Sequence, residues 1–371
     1  MSLKNQDQKA VINDNHFFNI QNLIKPQIIR GLQNLAVVSH ISMMFLTLIM
    51  AIFIFGNPLL LFTISIPYLI FYMLDRSPGN GKVMLFRMNW WKNLKIWNYY
   101  CDYFQISIVK KKDLEPTFDP KDSRKLNGDK PVTYIFGYHP HGIAALGSFG
   151  LSNNGCGFNL EFPGIPMSLL TLTNNFQLPF YREYLLFSGL SSVSRKNILK
   201  LLENYTSVCL VPGGAKESLA INFSGNKINL VLKNRKGFVR LAVANAEKGR
   251  RTALVPIFSF GENELYKVVK AKEESFLKNL QLWLKNNIGF TIPIFFGRGI
   301  WNPDFGLMPY REKITLCFGN PIEIDLRDFK DATNETIVDH FHDLYVKELM
   351  QIFDDNKVKY GYENKQIHFV D

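Results

Sequence analysis

Residues Val132-Thr133-Tyr134-Ile135-Phe136-Gly137-Tyr138-His139-Pro140-His141-Gly142 decide how the chain is read. The run Val132–Gly137 is apolar and β-prone, and predicts a buried strand. Two imidazoles then stand at the strand's carboxyl end, where an open α/β sheet places ligands and chemistry. Pro140 fixes its own φ and biases His139 toward an extended backbone, while Gly142 permits a tight exit. The chain has seven histidines, so two within three positions mark a candidate site.

One reading makes the pair ordinary turn histidines, satisfied where they stand. A metal-dependent hydrolase also opens on His-x-His after a strand, but it needs further ligands from later strands. No histidine occurs between His141 and His340, and His340 and His342 point to different faces of a predicted helix. The sequence therefore predicts no metal. Gly147-Ser148-Phe149-Gly150 lacks the spacing of a serine nucleophile elbow. The remaining chemistry is a histidine that acts as general base on a hydroxyl. His141, directly before the turning Gly142, is the favoured base, with His139 as its neighbour.

Outward from this stretch, further strands are expected at Ser207–Val211, Ala253–Phe260, Thr291–Phe296 and Ile314–Phe318. Helical patterns fall at Ser194–Asn204, Arg235–Lys248, Glu273–Asn286 and Glu335–Asp354. In the last of these Ile337, Phe341, Tyr345, Leu349 and Ile352 form a core-facing stripe. Alternating strands and helices predict an α/β fold with a mostly parallel sheet flanked by helices. No internal repeat or low-complexity segment interrupts it.

Upstream, no Asp, Glu, Lys or Arg occurs from Gly31 to Leu74. That is about twice the ~20 residues of one transmembrane helix. Gly56-Asn57-Pro58 breaks the run with turn chemistry, giving a hydrophobic hairpin of roughly Leu35–Phe55 and Leu59–Leu74. The second arm is short and carries Pro67, so the hairpin either spans the bilayer or enters one leaflet as a wedge; a buried core helix pair is the competing reading. The expected organisation is residues 1–34 as an N-terminal segment, 35–75 as the membrane hairpin and 76–371 as the catalytic domain. Lys25 and Arg30 precede the hairpin, and Arg76, Lys82, Arg87, Lys92 and Lys95 follow it. Positive flanks on both sides place both in the cytosol.

The net charge of +11 and pI near 9.3 come without a local Lys/Arg block, so nucleic acid is not the expected partner. Anionic headgroups or a phosphate-rich co-substrate account for the charge. Cys101, Cys156, Cys209 and Cys317 are scattered and read as reduced thiols. Sequons start at Asn204, Asn222 and Asn334, and in a cytosolic domain they stay unmodified.

Val211-Pro212-Gly213-Gly214-Ala215-Lys216-Glu217 follows the Ser207 strand. Its glycines expose amides of the kind an oxyanion or phosphate needs, and Glu217 is placed to orient an imidazole; a plain turn is the alternative. Arg235, Lys236 and Arg240 gather three cations at a helix start, either a solvated face or a partner for coenzyme A phosphates.

Taken together, His139-Pro140-His141-Gly142, Gly213-Gly214-Ala215-Lys216-Glu217, Arg235-Lys236-Gly237-Phe238, Pro256-Ile257-Phe258-Ser259-Phe260-Gly261-Glu262-Asn263-Glu264 and Gly297-Arg298-Gly299-Ile300 resemble the type-2 diacylglycerol acyltransferase family in content and order. Phe45-Leu46-Thr47-Leu48 with Ile52 is similar to that family's neutral-lipid-binding pattern. One departure is Tyr103-Phe104-Gln105, where the family often shows Tyr-Phe-Pro. More distant glycerolipid acyltransferases pair a histidine with an aspartate five residues on; here those positions are Ala144 and Leu146, which leaves Glu217 as the substitute carboxylate, bonded to a ring nitrogen.

The resemblance implies transfer of a fatty acyl group from acyl-coenzyme A to diacylglycerol, with no cofactor beyond that co-substrate. Gly213, Gly214, Lys216, Arg235, Lys236 and Arg240 would hold acyl-coenzyme A, and Phe45, Leu46, Leu48 and Ile52 the neutral lipid. It also implies the endoplasmic reticulum membrane and lipid droplet surface as locations, and leaves open a homo-oligomer. The alternatives are the same chemistry on monoacylglycerol, a long-chain alcohol or retinol, and a non-catalytic lipid-droplet anchor.

Overall fold

In the computed structural model, which describes residues 26–83, 89–220, 226–269, 283, 294–300 and 302–371, the chain opens with helix α1 (Pro26–Gly56). Asn57 caps the next helical stretch by accepting the Leu59 amide at 2.9 Å, and Pro58 supplies a helical φ in its first turn. One π-helical turn, Leu61–Ser65, leads into α2 (Ile66–Leu74). Both arms are long and apolar enough to cross a membrane.

α1 starts well before the expected Leu35 because its polar foot is docked on the rest of the protein. Arg311 donates to the side chains of Gln33 at 2.6 Å and Asn34 at 2.8 Å, and lies over the Tyr103 ring. Higher on the same helix His40 stacks on Phe149 and bonds the Tyr184 hydroxyl at 2.6 Å. The second arm is tied equally firmly. Arg182, buried, pairs with the Asp75 carboxylate and donates to the Tyr72 and Asp75 carbonyls at 2.9 Å, closing the C-terminal end of α2. Between those ties the apolar side chains, Phe45, Leu46, Leu48 and Ile52 among them, face outward.

Helix α3 (Lys95–Tyr103) packs on α1 and leads into the sheet. Its eight strands are β1 (Ser107–Lys110), β2 (Thr133–His139), β3 (Met167–Thr171), β4 (Leu190–Ser192), β5 (Ser207–Leu210), β6 (Thr252–Phe260), β7 (Thr315–Phe318) and β8 (Ile322–Glu323). The order is β1-β7-β6-β2-β5-β3-β4, with β8 also on β6. β2 runs parallel to both β5 and β6, whereas β7 and β8 run antiparallel to β6. The mostly parallel α/β sheet flanked by helices is therefore present. β2 and β6 are buried at every residue, which is why both read as continuous apolar runs rather than alternating ones.

Four helices matter for the site: α4 (Leu146–Ser152), α5 (Gly214–Ala220), α6 (Gly237–Ala246) and α7 (Asn334–Asn356). The expected stripe of α7 is buried at all five positions and packs on β6. Arg195–Glu203 forms the helix expected over Ser194–Asn204. The helix expected over Glu273–Asn286 lies outside the described residues apart from residue 283. Of the Thr291–Phe296 strand, Ile294–Phe296 is described and pairs with Lys267–Val269, off the main sheet. Strands β1, β3, β4 and β8 were not expected; they are short, and Ser or Thr dilutes the apolar signal in the first three. A two-stranded parallel ladder of Lys227–Val231 with Gln366–Val370 was also unforeseen.

Candidate active site

β2 runs two residues further than expected and ends on His139 itself. The imidazole therefore points into the core and is fully buried. Its Nε2 lies 2.9 Å from the Tyr345 hydroxyl of α7, which in turn donates to the Gly137 carbonyl at 3.2 Å. A Cβ at residue 137 would stand 1.9 Å from that hydroxyl, so only glycine admits it. Burial drives the His139 pKa down to about 3, with the nearby His342 adding in the same direction. His139 is a neutral, enclosed ring.

The His139–Pro140 peptide is cis, and the chain turns at Gly142 with φ +57°. His141 is only half-buried. Its Nδ1 lies 3.1 Å from the Gly142 carbonyl, which can only accept, so Nδ1 carries the hydrogen and Nε2 keeps its lone pair. Burial holds its pKa below the ordinary value, opposed by that carbonyl. A neutral imidazole with an unshared Nε2 pair is the form a general base requires.

Glu217 reaches this turn because β5, which precedes it, is a direct neighbour of β2. The carboxyl is 1 % exposed, in the first turn of α5. The expected carboxylate–imidazole bond is not what forms there. Oε1 accepts the His141 backbone amide at 2.5 Å and Oε2 the Val231 amide at 3.0 Å, so both oxygens are spent on the backbone. Burial pushes its pKa up to about 7 against the pull of those two bonds. Gly213 serves this arrangement sterically: a Cβ there would sit 2.0 Å from Glu217 Oε2.

Of the other expected residues, Gly213 and Gly214 join β5 to α5, and Lys216 is exposed on that helix. The cation cluster is not a free one. Lys236 pairs with Asp339 at 2.6 Å and Arg240 with Glu335 at 2.7 Å, both on α7, while Arg235 is exposed without a side-chain partner among the described residues. Phe45, Leu46, Leu48 and Ile52 lie on α1, with Phe149 of α4 bridging that helix and the turn through His40.

Glu262 carried no expected role, yet it is the second buried carboxyl at the turn. It accepts the Leu146 amide at 2.8 Å, the Gly147 amide at 3.0 Å and the Tyr138 hydroxyl at 2.6 Å. Burial again pushes its pKa up to about 7. Its signal was present in sequence as an acidic residue two positions after a mostly apolar strand, beyond Gly261. The C-terminal segment braces both carboxyls. Tyr362 accepts the Gly261 amide at 3.0 Å beside Glu262, and Gln366–Val370 pairs with the strand whose Val231 amide holds Glu217.

Comparison with known proteins identifies the family. The family described as "Diacylglycerol acyltransferase" matches residues 52–370. Diacylglycerol O-acyltransferase 1 of Saccharomyces cerevisiae is 42 % identical, over 92 % of this chain and 86 % of that one. Diacylglycerol O-acyltransferase 2A of Umbelopsis ramanniana is 38 % identical, over 92 % and 91 %. 2-Acylglycerol O-acyltransferase 1 of Bos taurus is 38 % identical, over 82 % and 84 %. The solved 1-acyl-sn-glycerophosphate acyltransferase of Thermotoga maritima covers 83 % of this chain and 96 % of its own at 12 % identity and a TM-score of 0.34, too slight a likeness to bear on the fold. This chain is an acyltransferase and belongs to the diacylglycerol acyltransferase family.

Proposed function

We propose that the protein transfers a fatty acyl group from acyl-coenzyme A to the free hydroxyl of diacylglycerol, with His141 as general base and no further cofactor. The observation that carries this reading is the His141 ring: Nδ1–H engaged by the Gly142 carbonyl, Nε2 without a hydrogen-bond partner among the described residues, and the residue half-buried at the turn. Nε2 takes the alcohol proton as its oxygen attacks the thioester carbonyl. The tetrahedral intermediate collapses by breaking the C–S bond, and the imidazolium returns the proton to the coenzyme A thiolate. A thiol of pKa about 8.5 leaves far more readily than an alkoxide, so the base and an enclosed site suffice. His139 positions the turn, and Glu217 fixes the His141 backbone.

The outward face of Phe45, Leu46, Leu48 and Ile52 suits a lipid acceptor that arrives from the membrane. Arg235, Lys216 and the glycines Gly213 and Gly214 remain the candidate contacts for coenzyme A. The endoplasmic reticulum membrane and lipid droplet surface, with the catalytic part in the cytosol, fit this use. The bovine 2-acylglycerol relative favours one second reading, monoacylglycerol as acceptor. Purified protein with radiolabelled oleoyl-coenzyme A and a panel of acceptors tests both. Triacylglycerol as the dominant product supports diacylglycerol, and diacylglycerol formed from 2-monoacylglycerol as the faster reaction replaces it. No product with any acceptor ends both readings.

A further inference from the structure

We propose that Glu262 is a positioning residue of this site, which fixes the His139–Gly142 turn and the helix after it in the geometry that aims His141. The inference rests on the reading of His141 as base and deepens it.

Glu262 enters from the far side of the turn. β6 ends at Phe260, and Gly261, at φ +98°, swings the chain back across the sheet edge. A Cβ at residue 261 would meet the Lys313 carbonyl at 2.1 Å, so this reversal needs glycine. The Glu262 side chain, 1 % exposed, then fills the space between β2 and α4. Two glycines of the motif exist to admit it. At Gly142 a Cβ would lie 2.9 Å from Glu262 Cγ, and at Gly147 another would lie 2.9 Å from Oε2. The spacing of glycines after the histidines is thus a mould of this side chain.

Three donors converge on the carboxyl: the amides of Leu146 and Gly147, which open α4, and the hydroxyl of Tyr138, the residue before His139. Tyr138 is itself held 2.9 Å from the Ser259 hydroxyl of β6. One carboxylate therefore ties the end of β2 to the start of α4, with His141 on the short span between. Ala145 sits in that span at φ +49°, a left-handed conformation costly for alanine, and it persists because both ends are fixed. Glu217 grips the same span at the His141 amide. With one carboxyl on each side, the backbone that carries the ring is fixed at both ends. The number of accepting oxygens matters as well as shape. A carboxamide offers one accepting oxygen, so its NH2 group would face a donor.

Glu262→Gln tests this in the full chain. Displacement of a catalytic group by about 1 Å can cost 10²-fold in rate. The expected result is a 10–100-fold fall in kcat per folded enzyme, with KM for oleoyl-coenzyme A changed less than about twofold. Tyr138→Phe, which removes the bond to β2 and leaves both amide bonds in place, should lower kcat in the same direction by a smaller factor than Glu262→Gln. Asn245→Ala is the folding control: that buried side chain bonds Thr252 at the opposite end of β6, so its loss lowers thermal stability and leaves kcat of the folded fraction unchanged. Unaltered kcat in Glu262→Gln overturns the inference, as does a loss that merely tracks the folded fraction. His141→Ala, measured alongside, separates the two claims. If it is active, the reading of the base fails; if it is dead while Glu262→Gln is active, only the positioning role fails.

Discussion

At His139 the ring is sealed in the core with Tyr345, and at His141 the residue is half-buried with no Nε2 partner among the described residues. The two should respond differently to removal. His141→Ala should lower turnover by roughly 10²–10⁴-fold, the range for losing a general base, while acyl-coenzyme A binding persists. His139→Ala should instead lower stability, since it removes one of the two hydrogen bonds of the buried Tyr345 hydroxyl and leaves a core cavity. Turnover with purified variants, beside a thermal melt of each, tells the roles apart, and a His141 variant at wild-type rate would reverse them. The carboxyls make a separate prediction about pH. Glu217 and Glu262 have folded-state values near 7, above the ordinary 4.5. Between those values the folded protein holds protons that the unfolded chain has released, so stability falls as pH rises from about 4.5 to 7. The size is on the order of 3 kcal/mol for each group by linkage. Melting temperatures from pH 5 to 8 should decline, and Glu217→Gln should flatten the slope. The glutamate was legible in the sequence as a site residue, but its hydrogen-bond partner was not. Whether a carboxyl meets a ring or an amide depends on distances of a few ångströms set by β2 and β5.

Among the elements, the hairpin is where composition spoke most plainly and packing added most. A 44-residue stretch without a charged side chain, Gly31 to Leu74, admits few other readings. How it is fastened could not be read, because Arg182 lies more than a hundred residues from Tyr72 and Asp75. Arg182→Ala would leave the Asp75 carboxylate without its cation and free the last carbonyls of α2. The expected loss is about 3–5 kcal/mol, as for breaking a buried ion pair, measured as earlier thermal unfolding and faster proteolysis near Asp75. The outward face predicts the opposite kind of effect. Ile52→Lys leaves the protein's own contacts intact yet should cost about 2.5–3.5 kcal/mol of insertion near a bilayer centre. Fractionation of membranes under alkaline wash should show the variant in the soluble fraction. Retention at the wild-type level would mean that this face does not contact lipid.

For the molecule as a whole, the positive flanks of the hairpin predict that the N-terminus and the catalytic part share the cytosolic side. The structure sharpens the test. Asn204 is part-buried and donates to the Gly81 carbonyl, whereas Asn334 is exposed at the start of α7 and open to modification. Asn222 lies outside the described residues. Glycosidase treatment of sealed and opened microsomes should leave mobility unchanged. A shift abolished by Asn334→Gln would place α7 on the lumenal side and reverse the topology.

By itself the sequence determined the class of the sheet, the existence of the hairpin, the turn that bears two histidines and the acyltransferase chemistry expected of it. These rest on local properties: apolar runs, φ restrictions at proline and glycine, and residue types at short spacing. The short strands β1, β3 and β4 stayed hidden because three to five residues with Ser or Thr carry too little periodic signal. Only the tertiary structure decided that His139 is sealed and His141 half-buried, since the strand runs two residues past its expected end and carries His139 into the core, while His141 lies beyond it. It alone decided that Glu217 holds an amide rather than a ring, that Lys236 and Arg240 are spent on α7, and that Glu262 reaches the start of α4. The contacts behind these outcomes join residues 76 to 206 positions apart in the chain. Contacts of that kind follow from sheet order and helix packing, which a linear reading of residue types does not contain.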